Sequence, residues 1–142
     1  MTRRRLALVL CTLLFVPFLG HAQSTGKPHK VIIAVSSGDK DDWNTVMGNT
    51  RNLINGVKPD PIEVEIISFS GGINMIKSDS PVAEDIKKLQ DMGVKFTACQ
   101  NAMRFHKLEL KDLVPGAIPV PSGIVEVVEK QEQGWIYIKG GR

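Results

Sequence analysis

The chain has 142 residues, of which 42% are hydrophobic and 23% charged, a composition typical of one globular domain. Its formal net charge of +3 resides in three arginines near the N-terminus, since the remainder carries 15 basic and 15 acidic residues. No Lys/Arg cluster stands out in that remainder, which argues against binding to nucleic acid.

The first 22 residues have the pattern of an export signal. The three arginines are followed by an apolar run from Leu6 to Leu19, and the small residues Gly20 and Ala22 occupy the −3 and −1 positions of a cleavage site. The run spans about 14 residues, fewer than the roughly 20 that cross a bilayer. We therefore expect residues 1–22 to be a cleaved signal peptide and the mature chain to be periplasmic or secreted, without a membrane anchor. A retained anchor is the alternative.

After a polar lead at residues 23–29, which we expect to be flexible, short apolar runs alternate with amphipathic segments. Continuous apolar runs are typical of parallel strands that are buried on both faces, and alternation with helices indicates helices on both sides of the sheet. Residues 30–142 are therefore predicted to form an α/β domain, a flavodoxin-like three-layer sandwich with a mostly parallel five-stranded sheet. The predicted strands are Lys30–Ser36, Ile62–Phe69, Val94–Ala98, Gly116–Val120 and Trp135–Ile138; the predicted helices are Asp39–Asn55, Pro81–Met92, Gln100–Lys107 and Ile124–Gln133, with helical turns at Ile73–Ile76 and Glu109–Leu113.

Cys99 is the candidate reactive residue. The other cysteine, Cys11, lies in the predicted signal peptide, so the mature chain would hold a single cysteine and no internal disulfide. Cys99 lies where a predicted strand meets a predicted helix, and the unpaired N–H groups and dipole of a helix start favour a thiolate. The alternative is a buried cysteine that only fills space in the core.

Two further strand-end loops are candidate binding segments, because ligands of open α/β sheets bind beyond the carboxyl ends of the strands. Glycines in such loops let a backbone approach an anion, although a tight turn between strand and helix is the favoured explanation for them. With the residues that follow Cys99, these loops give the candidates for lining a pocket or supporting a thiolate: Ser37, Gly38, Gly71, Gly72, Asn74, Gln100 and Asn101.

The sequence lacks the motifs that are typical of nucleotide sites, metal sites and serine nucleophiles. Neither G-x-G-x-x-G nor a P-loop is present, which argues against a nucleotide. His29 and His106 have no partner at metal-ligand spacing, so no metal or other cofactor is expected and His106 is interpreted as a surface or capping residue. No G-x-S-x-G motif positions a serine nucleophile.

Several segments together resemble the DsrE/DsrF-like family of sulfur-relay proteins, over about residues 31–139. They are the first predicted strand, Ser70-Gly-Gly-Ile-Asn-Met-Ile76, Cys99-Gln-Asn-Ala-Met103, Val120-Pro-Ser-Gly-Ile-Val-Glu-Val-Val128 and Gln131-Glu-Gln-Gly-Trp-Ile-Tyr-Ile-Lys139. The resemblance implies a flavodoxin-like fold and assembly as a homo- or hetero-oligomer, and we expect a homo-oligomer. It also implies that Cys99 accepts sulfane sulfur as a persulfide and passes it on, with donor and acceptor thiols or proteins as partners.

Two features depart from the family pattern, and they leave alternatives open. The chain is expected to be exported, whereas the well-understood relays are cytoplasmic, and no second cysteine is expected to be available for relay within one mature subunit. A non-catalytic oligomeric binding or scaffold module with the same fold is therefore the second hypothesis. A redox-sensing thiol that pairs between subunits is a third, since exported proteins meet oxidising conditions.

Overall fold

The computed structural model describes residues 26–142, so the predicted signal peptide, Cys11 and the first residues of the lead lie outside the described residues. The strands are β1 His29–Val35, β2 Ile62–Ser68, β3 Lys95–Cys99, β4 Ile118–Val120 and β5 Ile136–Gly140. The helices are α1 Lys40–Gly56, α2 Ala83–Asp91, α3 Gln100–Phe105 and α4 Gly123–Glu132, with 3₁₀ helices at Ser70–Ile76 and Leu110–Asp112.

All five strands are parallel and form one sheet in the order β4-β3-β2-β1-β5. The predicted α/β sandwich is confirmed, with a sheet that is wholly rather than mostly parallel. The order differs from the 2-1-3-4-5 of flavodoxin itself. β1 begins at His29, the last residue of the predicted lead, where the His29 N–H donates to the Pro61 carbonyl (2.9 Å).

The strand order explains how the helices are distributed over the two faces. From β1 to β4 each strand adds on the same side of the previous one, and right-handed crossovers then place the intervening helices on one face. The chain next passes to the far side of β1 to form β5, so α4 lies on the opposite face. The larger core accordingly includes Trp43, Met47, Ile86 and Met103 from α1, α2 and α3. The smaller core gathers Ile32, Ala34, Ile67, Val127 and Trp135 around α4.

A buried ion pair lies beneath α4. Glu65 of β2 is 2% exposed, and its Oε2 lies 2.6 Å from the Nζ of Lys130 in α4. The same ammonium lies 4.5 Å from the ring centroid of Trp135. The Glu65 Oε1 atom has no hydrogen-bond partner among the described residues. Burial acts to lower the pKa of Lys130, but hydrogen bonding and charge attraction from Glu65, supplemented by Glu126, outweigh it and raise that pKa.

The outer edge of β5 is an exposed apolar surface. Ile136, Tyr137 and Ile138 are 52%, 46% and 37% exposed, and β1 is the only strand paired with β5 within residues 26–142. No helix in that range is long and apolar enough to cross a membrane.

Candidate functional site

A cleft of about 730 Å³ opens at the carboxyl ends of β2, β3 and β4. Cys99, the last residue of β3, is also the residue that precedes α3. The 3₁₀ helix after β2 forms one wall, α3 a second, and the start of α4 a third. The lining residues are Phe69, Ser70, Gly71, Cys99, Asn101, Ala102, Phe105, His106, Ser122 and Ile124.

Gly123 lets α4 approach Cys99 closely. A Cβ atom at Gly123 would lie 2.8 Å from the Cβ of Phe69 and 3.2 Å from the Cβ of Cys99, so only a glycine fits without a shift of the helix. Ser122, the N-cap residue of α4, makes no side-chain capping hydrogen bond within the described chain. The first N–H groups of α4 therefore lack that partner beside the cysteine.

The walls of the cleft are mainly apolar and uncharged. Phe105 is 82% exposed at the rim, and its ring meets that of His106 edge-on with centroids 5.1 Å apart. Among the described lining residues, only Cys99 and His106 can titrate. The nearby guanidinium of Arg104 donates to the Asn101 side-chain oxygen, and Arg104 itself is not a lining residue.

The structure brings three of the predicted site residues together in this cleft: Cys99, Gly71 and Asn101. Gln100 is exposed beside it. Gly72 and Asn74, both in the 3₁₀ helix, instead make hydrogen bonds that hold this helix in place. Gly72 donates to the Ser36 carbonyl (3.1 Å), and the Asn74 side chain donates to the Gly71 carbonyl (3.2 Å). Gly71–Gly72 is thus a close backbone packing point, as its tight-turn interpretation predicts.

Ser37 and Gly38 lie at the same edge of the sheet but outside the lining of the cleft. The Ser37 hydroxyl accepts the Asp39 N–H at 3.1 Å. Together with the backbone N–H of Arg142, Ser37 also holds the pKa of Asp42 below its usual value. The Arg142 N–H and Nε both donate to Asp42 Oδ1, at 3.1 and 3.2 Å. Asp42 and Arg142 therefore pair with each other near the ends of β1 and β5, where the strand order reverses.

His106 is a lining residue that the sequence analysis assigned to the surface or to a cap. Its backbone N–H does close α3 on the Ala102 carbonyl (2.9 Å), but its half-buried side chain lines the cleft. Ala102 and His106 follow Cys99 by three and seven residues, which places them on one helical face. This spacing is the sequence feature from which the position of His106 in the cleft could have been predicted. No group of three or more His, Cys, Asp or Glu residues within 26–142 could hold a metal ion.

One family profile matches most of the chain. The profile of the DsrE/DsrF-like family matches residues 29–139. A solved protein of unknown function, MTH1491 from Methanobacterium thermoautotrophicum, is similar with a TM-score of 0.75 and 30% identity, over 78% of this chain and 98% of that one. The search of curated proteins gives no match. The chain therefore belongs to the DsrE/DsrF-like family, which supports a sulfur-relay-type role at the level of the family.

Proposed function

We propose that this protein is an exported sulfur carrier that holds sulfane sulfur as a persulfide on Cys99. The observation that carries the proposal is the position of Cys99, at the end of β3 within a cleft large enough for an organic ligand. Family membership supports a sulfur-relay-type role, and the neighbouring start of α4 offers electrostatic support for a sulfur anion. The partners of this reaction are a donor and an acceptor of sulfane sulfur, which are thiols or proteins that bear them.

The transfer is a balanced exchange of sulfur. The Cys99 thiolate attacks the terminal sulfur of a donor R–S–SH, the S–S bond of the donor breaks, and R–S⁻ leaves and takes up a proton as R–SH. Cys99 then carries –S–SH, and an acceptor thiolate removes its outer sulfur by the same chemistry. His106 in the cleft wall is the residue we assign to proton exchange with the leaving thiolate, and the first turn of α4 stabilises the bound sulfur anion.

Intact mass spectrometry tests sulfur uptake. After treatment with polysulfide and removal of the excess, the mature wild-type chain, residues 23–142, is expected to gain about 32 Da, the mass of one sulfur atom. Cys99→Ser should show no gain, since serine cannot form a persulfide. A matched control is Ser122→Ala, which alters the cleft wall but keeps the thiol and so keeps the adduct. An adduct that persists in Cys99→Ser would remove the proposal.

The proposal includes export, and intact mass spectrometry of the recovered protein tests whether the signal peptide has been removed. A full-length chain expressed in a bacterium and recovered from the periplasm should have the mass of residues 23–142. Recovery of the uncleaved chain in the membrane fraction would instead favour the retained anchor.

The burial of Cys99 is the observation that favours the second candidate function, a non-catalytic binding or scaffold module. Its side chain is 5% exposed, as expected of a cysteine that only packs. A thiol that resists alkylation in the folded protein and takes up no sulfur would support this candidate. The third candidate function is a redox-sensing thiol that forms a disulfide between subunits. It requires a covalent dimer that is lost on reduction.

We propose that the chain forms a homo-oligomer through the edge of β5, where a second copy would continue the sheet. Exposed edges with apolar side chains are ready templates for another strand, and a two-fold arrangement pairs β5 with itself. By light scattering, the wild type should exceed the monomer mass and Ile136→Lys/Tyr137→Lys should approach it. Met92→Lys/Leu110→Lys changes residues of similar exposure, 41% and 50%, and should leave the mass unchanged. A monomeric wild type at high concentration would rule this interface out.

A further inference from the structure

We propose that the cleft selects its sulfur donor by charge and polarity, and that its donor is an organic persulfide with an uncharged, apolar group beside the sulfur. This inference rests on the proposed function of Cys99 and adds the chemical class of its partner. Inorganic thiosulfate and strongly anionic persulfides are, on this view, poor donors.

The size of the cleft is the first observation. A volume of about 730 Å³ falls in the range of pockets that bind drug-sized molecules. One sulfur atom, or a small oxyanion such as thiosulfate, fills only a minor part of it. The remaining space lies against Phe69, Phe105 and Ile124, whose side chains offer dispersion contacts and no countercharge.

The exposure of these apolar walls is the second observation. Phe105 and Ile124 are 82% and 57% exposed, although both line a concave surface. An apolar group that covers the exposed aromatic and branched aliphatic side chains at this rim lowers the free energy, because it removes their apolar surface from water. A ligand with an apolar body provides that cover, whereas a hydrated oxyanion does not.

The charge balance of the cleft is the third observation. No Lys, Arg, Asp or Glu is among its described lining residues, and the guanidinium of Arg104 is engaged by Asn101. The start of α4 offers about half a positive charge, which suits one sulfur anion at Cys99. Further charges, such as the sulfonate of thiosulfate or the carboxylates of glutathione, would be desolvated without a partner, which is costly.

A donor series tests the proposal. Initial rates of Cys99 persulfidation are measured with benzyl persulfide, a persulfide of the neutral capped peptide Leu-Cys-Leu, glutathione persulfide and thiosulfate, each divided by its rate with free N-acetylcysteine. We expect the two apolar donors to exceed glutathione persulfide by roughly tenfold, and thiosulfate to give no measurable adduct. The faster of the two apolar donors identifies the source, a small thiol or a cysteine of a polypeptide.

Added charge supplies the matched control. Ile124→Lys places an ammonium at the rim of the cleft. The ratio of the normalised rates with apolar donors to those with anionic donors should then fall at least fivefold. Val128→Lys, one turn further along α4 at a residue that is 49% exposed and outside the lining, should leave the ratio unchanged. Equal normalised rates for all donors, or equal effects of the two lysines, would overturn the donor class while leaving Cys99 as a carrier. Absence of an adduct with every donor would overturn the proposed function itself.

Discussion

Gly72→Ala is expected to lower the free energy of unfolding by roughly 3 kcal/mol, at the upper end of the usual range for overpacking. A Cβ at this position would overlap the carbonyl oxygen of Val35 and lie 2.7 Å from its carbonyl carbon. These are backbone atoms of β1, which cannot rotate away as a side chain can. The 3₁₀ helix must move off the sheet and weaken the bond from the Gly72 N–H to the Ser36 carbonyl. Urea unfolding followed by circular dichroism measures the effect.

Gly48→Ala is the matched control, because the same change is made where the structure has room. Gly48 lies inside α1, and a Cβ there would meet nothing within 4 Å. Alanine favours a helix interior over glycine by about 0.5–1 kcal/mol, so this variant should be more stable than the wild type. Equal unfolding midpoints for Gly72→Ala and the wild type would show that the contact between β1 and the 3₁₀ helix is looser than described.

Lys130→Met should destabilise the protein by about 3–5 kcal/mol, because it leaves the carboxylate of Glu65 buried without its partner. The 2.6 Å contact and the 2% exposure of Glu65 make this a buried pair, in contrast to the Glu109–Lys111 pair at 2.8 Å, whose side chains are 72% and 73% exposed. Lys111→Met is therefore the control, with an expected change within about 1 kcal/mol. Equal losses in the two variants would contradict the assignment.

The Glu65–Lys130 pair gives two further predictions, one for a double variant and one for the pH dependence of stability. Glu65→Leu combined with Lys130→Met removes both charges and should restore stability close to that of the wild type, as apolar replacements of buried pairs often do.

In the wild type, the pKa of Lys130 is raised from 10.5. Its contribution to stability is therefore fully present below pH 10.5 and is lost as the pH rises through the raised pKa.

The sheet could be predicted because each strand is a short apolar run with a local signature. The runs around Val31, Ile66 and Phe96 are buried on both faces, so their short, continuous apolar character identifies them. Glu65 shows where this reasoning stops. Its alternation with Val64 and Ile66 is typical of a strand with one solvated face, but the crossover to β5 lays α4 over that face. Lys130 then reaches it from 65 positions along the chain, and no local pattern records that pairing.

The cleft was predictable to the extent that its residues follow a strand directly. Cys99 is the last residue of β3, Gly71 and Asn101 come just after β2 and β3, and parallel strands end at the same edge of the sheet. Ile124 could not be found in this way, because its place beside Cys99 depends on β4 pairing with β3 rather than with another strand. Ser37 shares the edge but lies on its far side, near the paired Asp42 and Arg142.

Carriage of sulfane sulfur by Cys99 is tested most directly by loading the mature protein, residues 23–142, with radiolabelled sulfur from a persulfide donor, removing the donor, and then adding an acceptor thiol. The proposed function predicts about one label per chain after loading, none in Cys99→Ser, and its appearance on the acceptor as a persulfide. A label that stays with the protein, or that binds equally to the Cys99→Ser variant, would contradict it.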